Sequence, residues 1–472
     1  MFEQESETLL GSETRLEQCL ERLDRFSCQV AQALALTSPE PTRGELLELI
    51  GPEAKPCDVD RALDGLAARG LITMSEGGIR IHPIVRERRG PAGLGPQATE
   101  LLRLRSTDEL HAIASNMDMG VCHGGLSRPQ LLSHVASGVT SPERVRRLMR
   151  QAPKDVVALA MRLAVGTPTI TTSADFSPAY RRGAPERTWR SPHQWLTRHG
   201  LVIEQDRHLA AMPREVAMVL RGGRPFSTLT AVRPPLFSMA VDALHVERSA
   251  ASKAQKLVRA TEQLIDMWAS RPARLLKSGR VGSRDLQRFS SATGLGLVEV
   301  CFVVELAAHA GLVGVDSRSS TRCAVHQAAC DRWACLNSEK RWETLVRTWL
   351  EAPSYLGKAT GDPSAPRPDV VPFELGVLPV AAKQRRVCLV ALLDADPGTG
   401  VDESSLFARV EWDAPLLWNQ GPVPPATRVG WVCRDAELLG ILCEGSLSGP
   451  GREVARGNLG AAAILLSILS KT

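Results

Sequence analysis

Apolar residues recur at helical spacing in four stretches, and each breaks off at a glycine followed by aliphatic residues. The endings are Gly70-Leu71-Ile72-Thr73, Gly200-Leu201-Val202-Ile203, Gly311-Leu312-Val313-Gly314 and Gly440-Ile441-Leu442-Cys443. A helix that buries one stripe, stops on a left-handed glycine and runs straight into a strand matches the third helix of a winged helix-turn-helix entering its wing. Four such endings on one chain predict an array of a small module, mainly α with short β-hairpins (α+β), rather than one large catalytic fold.

The first module is expected within residues 1–97. Leu20, Leu23, Phe26, Val30 and Leu34 mark a first helix. Thr42 with Glu45 predicts a capping box for a second over 43–50, and Leu63, Leu66 and Ala67 face inward from a third. Gly77-Gly78 between Leu71–Met74 and Ile79–Ile81 predicts the hairpin. The second module, 98–235, reads as helices over 99–117, 128–137, 141–150 and 155–164, an irregular insertion over 166–187, and a last helix over 191–198. In the third, 240–355, helices are expected over 255–269, 284–292 (capped by Ser283) and 297–309. The fourth, 369–472, reads as degenerate, with recognisable helices over 385–393, 403–409 and 435–439. Pro- and Gly-rich stretches over 90–96 and 361–368 read as linkers.

Composition narrows the function classes. With 472 residues the chain exceeds one core, and 43% hydrophobic with 23% charged residues describes an ordinary globular protein. A net charge of +5 permits nucleic-acid contact without requiring it. Two Tyr and nine Phe are few for a protein that stacks single-stranded bases on aromatic platforms. The 11 scattered Cys, the acidic start and the lack of an apolar run of 18 residues predict a reducing cytoplasm, with association to the nucleoid and no membrane.

Five ordered segments carry a family resemblance. They are Leu23-Asp24-Arg25-Phe26 with Val30–Leu36; Pro213–Val216 continuing to Arg221-Gly222-Gly223-Arg224-Pro225; Leu275–Leu286; Arg341-Trp342 with Trp349-Leu350; and Ala436–Gly440 with Gly451-Arg452. In these the chain resembles the actinobacterial helicase-associated (XPB-like, helicase C-terminal-domain) proteins. The resemblance implies an N-terminal array of winged-helix-like modules serving a helicase or repair-type assembly. In the family a half with helicase C-terminal homology follows, and Thr472 falls about where it is expected to begin. A natural short form and a fragment of a longer protein both fit.

The sequence offers no motor. The only Gly-Lys-Ala-Thr, residues 357–360, has Ala at 352 where a P-loop needs its first glycine. No hydrolase signature is present either, since Leu447 sits at the centre of Gly445–Gly449. A non-enzymatic protein without cofactor is therefore expected. Cys323, His326, Cys330 and Cys335 are zinc-ligand types within 13 residues, but their irregular spacing favours packing over a metal.

DNA contact through base reading requires donors on a third helix. Residues 58–69 are as acidic as basic, and 297–309 carry Glu299 and Glu305 but no Arg or Lys. Cations cluster elsewhere. Arg144, Arg146, Arg147, Arg150 and Lys154 form one run, and Arg181, Arg182, Arg187 and Arg190 another. The third comprises Arg271, Arg274, Lys277, Arg280, Arg284 and Arg288. Of these, Lys277, Arg280, Arg284, Arg288, Arg144, Arg147 and Arg150 are the candidate phosphate contacts for sequence-independent DNA binding. A protein-interaction scaffold and a transcriptional regulator built on the same modules remain alternatives.

Overall fold

The computed structural model describes residues 15–75, 77–88, 94–117, 119, 126–171, 191–205, 209–277, 279, 281–316, 319–357, 380–418 and 423–469. They are mainly helical, with small antiparallel sheets of two or three strands. The chain divides into two compact units, Met1–Val232 and Arg233–Thr472. No single described helix is long and apolar enough to cross a membrane.

The first unit begins with helices Arg25–Leu36, Arg43–Ile50 and Pro56–Ala68. Phe26, Val30, Leu34, Leu46, Ile50, Val59, Leu63 and Leu66 are buried, as their spacing requires. Thr42 and Glu45 cap the second helix reciprocally. Strands Ile72–Ser75 and Gly78–Ile81 then pair, with Ser75 opposite Gly78. Ile79 N–H also donates to Pro41 O at 2.8 Å. The chain entering the second helix thus lies beside the hairpin's returning strand.

Later in this unit the helix expected over 99–117 is two, Ala98–Arg103 and Thr107–Asn116. Ser106 and Glu109 form a capping box that starts a new helix instead of continuing the old one. Helices Arg128–Thr140, Pro142–Gln151 and Lys154–Val165 follow. Strands Thr169–Thr171, Ile203–Glu204 and Leu209–Ala211 form one sheet, with helix Pro192–Arg198 before the last two. The final strand lies between the other two. Gln29 exchanges hydrogen bonds with the 228–230 backbone, and Arg224 pairs with Glu53. These contacts tie the segment after Gly222-Gly223 back to the first three helices.

The second unit is built on a 28-residue helix, Ala243–Ser270, which starts twelve residues before the expected 255. Val246, Ala250, Ala251 and Ala254 bury this extra length. Strand Ala273–Arg274, helices Ser283–Thr293 and Leu297–His309, and strands Val313–Asp316 and Ser319–Val325 follow. The residue at the N-cap of 283–293 is Gly282, so Ser283 is the first helical residue and not the cap. The three strands stand in the order first, third, second. Helices Gln327–Ala334 and Ser338–Glu351 close this half.

The pattern then returns. Helix Val380–Leu392, strand Thr399–Val401, helices Glu403–Asp413, Pro415–Trp418 and Pro425–Leu438, and strands Leu442–Cys443 and Ser446–Leu447 appear in turn. Helices Gly449–Ala455 and Leu459–Leu469 end the unit. Strand 399–401 pairs with Ser238–Ala240 on one side, and Val401 N–H donates to Gly445 O on the other.

The four predicted glycines share one backbone device. Gly70, Gly200, Gly311 and Gly440 have φ of 71°, 67°, 70° and 72°, the left-handed region where a Cβ is costly. Each donates to the carbonyl three residues back. The next residue (Leu71, Leu201, Leu312, Ile441) donates to the carbonyl five back, at 2.8–3.1 Å. This double closure ends a helix and turns the chain into a strand.

Buried side chains from Ala251 to Leu466 form one continuous core, so the two halves of the second unit are not separately packed. Polar groups sit deep in it. Arg385 has no exposed surface; its Nη1 donates to Ala352 O at 2.6 Å and its Nη2 to Ser354 O. Its guanidinium lies 5.5 Å from the Trp349 ring and 5.8 Å from Tyr355. Asp435, also fully buried, accepts from Trp349 Nε1 at 3.3 Å and Arg434 Nη2 at 2.8 Å.

Candidate nucleic-acid interface

In the second unit the third helix, Leu297–His309, has no exposed residue. Val300 to Val304, Leu306 and Ala307 are buried, and Val298 is half-buried. The long helix and helix 338–351 both pack on it. This helix therefore presents no fully exposed side chain to a groove. Contact with a duplex would then fall to other elements, its strands and its second helix among them.

Those elements carry the cations. Arg274 and Arg322 are directly paired across antiparallel strands, so their side chains leave the sheet on the same face. Their neighbours in the ladder, Ala273 and Cys323, point into the core. Gly282 N–H donates to Arg274 O at 3.2 Å, and Arg274 N–H donates to Asp285 Oδ2 at 2.9 Å. The start of helix 283–293, whose first turn holds Arg284, is thereby locked beside this strand. Lys277 stands on the intervening loop, which Leu275 and Val281 close by a bridge. Arg274, Lys277, Arg284 and Arg322 are all exposed, and none makes an ion pair with a described carboxylate.

The other candidates separate into three groups. Arg288 is turned toward Asp285, with Nη2 2.7 Å from Oδ1, and is half-buried. Arg144 donates to Met117 O at 2.7 Å and serves the packing of helix 142–151. Arg147 and Arg150 remain exposed on that helix beside Arg146, while Val145 and Leu148 face the core. Arg280, the run Arg181 to Arg190, residues 90–93 and 361–368 of the linkers, and Lys358 to Thr360 of the Gly-Lys-Ala-Thr lie outside the described residues. Arg322 escaped the sequence reading because strand register alone places it beside Arg274. Its one local signal is the alternation of exposed Arg322 with buried Cys323.

The zinc-type residues serve different roles. Cys323 lies inside the sheet, where burial pushes its thiol up to about 12, and burial also raises Cys330. Cys330 Sγ lies 3.4 Å from Leu312 O, and His326 Nδ1 lies 3.0 Å from Gly311 O. Cys335 is exposed at a helix end. Among the described residues no three His, Cys, Asp or Glu side chains converge on a metal position.

No protein-family model, curated protein or solved structure matches this chain.

Proposed function

We propose that the chain is a non-enzymatic, DNA-associated scaffold of tandem winged helices that grips duplex DNA through its phosphates. The observation that carries the reading is the exposed Arg274–Arg322 pair. Like charges directly opposite on a sheet are destabilising, and a phosphate between them reverses the sign of that interaction. Arg284 adds a third cation near the amides of a helix start.

The winged-helix reading rests on recurrence. Helix, strand, helix, helix and two strands follow one another in the first half of the second unit, with the last strand next to the first; the second half keeps the order with the short helix 415–418 added, and its strand 399–401 donates from Val401 to Gly445 in the turn of the final hairpin. The sheet of the second module repeats that strand order, and Pro41 beside Ile79 is its rudiment in the first. Kinship with helicase-associated proteins is part of the same proposal. Its segment Leu275–Leu286 is the stretch that supplies Lys277 and Arg284.

The test is fluorescence anisotropy on unrelated duplexes over a salt series. The protein should bind with a Kd of about 1–100 μM at physiological salt, regardless of sequence. Replacing Arg274, Lys277, Arg284 and Arg322 by Gln should weaken binding and flatten the salt slope by roughly 0.9 for each phosphate no longer neutralised. Unchanged affinity and slope would remove the DNA reading of this module and leave the protein-partner scaffold. Purified protein should turn over no ATP with or without DNA.

A further inference from the structure

Two adjoining hollows flank the long helix Ala243–Ser270, and neither belongs to the cationic face described above. The first, of about 130 Å³, has apolar walls from Leu257, Ala260, Leu295, Phe302, Val303 and Leu438 and is also lined by Lys253, Lys256 and Glu299. The second, of about 320 Å³, is lined by polar groups of Ser252, Gln255, Arg259, Gln263 and Thr293. Lys256, Ala260 and Leu295 line both, so the two form one cleft with an apolar end and a polar end.

The size of the apolar end is informative. A volume of this order is what a single benzene ring fills in a protein cavity, about 150 Å³. The polar end supplies hydroxyls, side-chain amides and two cations. Arg259 is exposed and pairs with no described carboxylate. Lys256 Nζ stands 3.5 Å from Glu299 Oε1, and Lys253 Nζ, which lines the apolar end, 3.7 Å from Glu437 Oε2. Both distances exceed those of hydrogen-bonded ion pairs, so the lysines can turn to a stronger anion at little cost.

We propose that this cleft binds a small organic anion whose apolar part is about the size of one aromatic ring. The ring occupies the apolar end, against Leu257 and Leu438, and the anionic head lies against Lys256 and Arg259. This site is independent of DNA binding.

Calorimetric titration of the full chain with phenyl phosphate tests it, with inorganic phosphate and benzyl alcohol as half-ligands. Phenyl phosphate should bind at least about tenfold more tightly than either half, because only it fills both ends. Phenylacetate separates a carboxylate head from a phosphate. The surface variant K256Q/R259Q should lose that tenfold advantage while retaining benzyl alcohol binding. Ala260→Leu fills the apolar end and should abolish both. Phenyl phosphate binding no tighter than inorganic phosphate, or undiminished in K256Q/R259Q, would overturn the proposal. So would undiminished binding in an Ala260→Leu protein that melts normally; if that variant fails to fold, the surface variant decides.

Discussion

The indole Nε1 of Trp342 donates to the carbonyl of Leu439 at 2.8 Å, across 97 residues of chain. Leu439 immediately precedes Gly440, so the turn that ends helix 425–438 is held by a fully buried tryptophan from the other half of the unit. Trp342→Phe would keep most of the packing and leave that carbonyl unpaired. A loss of about 1–3 kcal/mol is expected, read as a lower urea midpoint.

The left-handed glycines should differ in their tolerance of a side chain. At Gly311 an added Cβ meets nothing within 4 Å, so Gly311→Ala carries only the backbone cost of about 1–2 kcal/mol. At Gly440 the same Cβ would lie 2.3 Å from Ala250 O. Gly440→Ala should therefore be much the more damaging, which soluble yield and thermal melting will compare directly.

Burial pushes the Asp435 carboxyl up to about 6, against the opposing pull of Arg434 and Arg385. A folded-state value above the ordinary 3.8 means the protonated form is favoured on folding. The contribution to stability is full below about pH 4 and is lost as pH rises through 6. Melting temperatures of wild type and Asp435→Asn across pH 4–7 should show a downward trend with rising pH that is present in the first and flattened in the second.

Arg322→Gln should stabilise the protein while weakening its DNA binding. Removing one of two like charges set opposite each other relieves about 0.2–1 kcal/mol. The same change deletes a phosphate contact. Melting and anisotropy should move in opposite directions, a divergence that general damage to the fold would not produce.

The legible parts of this chain were those enforced by local chemistry. A left-handed turn at a helix end needs glycine, which made all four turns readable, and Thr42 with Glu45 announced its own capping box. The first twelve residues of the long helix were missed because they bury mostly alanines, whose small side chains give a faint apolar stripe. Arg385 and Asp435 are of types that ordinarily lie at the surface. They are interior because carbonyls and indoles from distant segments meet them, a condition no local pattern records. For the same reason Lys277 and Arg284 could be proposed from sequence, whereas Arg322 needed the strand register.

The continuous core from Ala251 to Leu466 has a consequence for how this chain can be handled and how it could have evolved. A duplicated module normally remains exchangeable, able to be excised, transplanted or shuffled as a cassette. Here the buried face of each half is the other half. Cutting between residues 357 and 380 would yield two orphans rather than two domains, with Trp342 and Arg385 stripped of their partners. The two halves resemble each other in element order, but the second unit is indivisible, and any recombination that preserves it must carry both halves together.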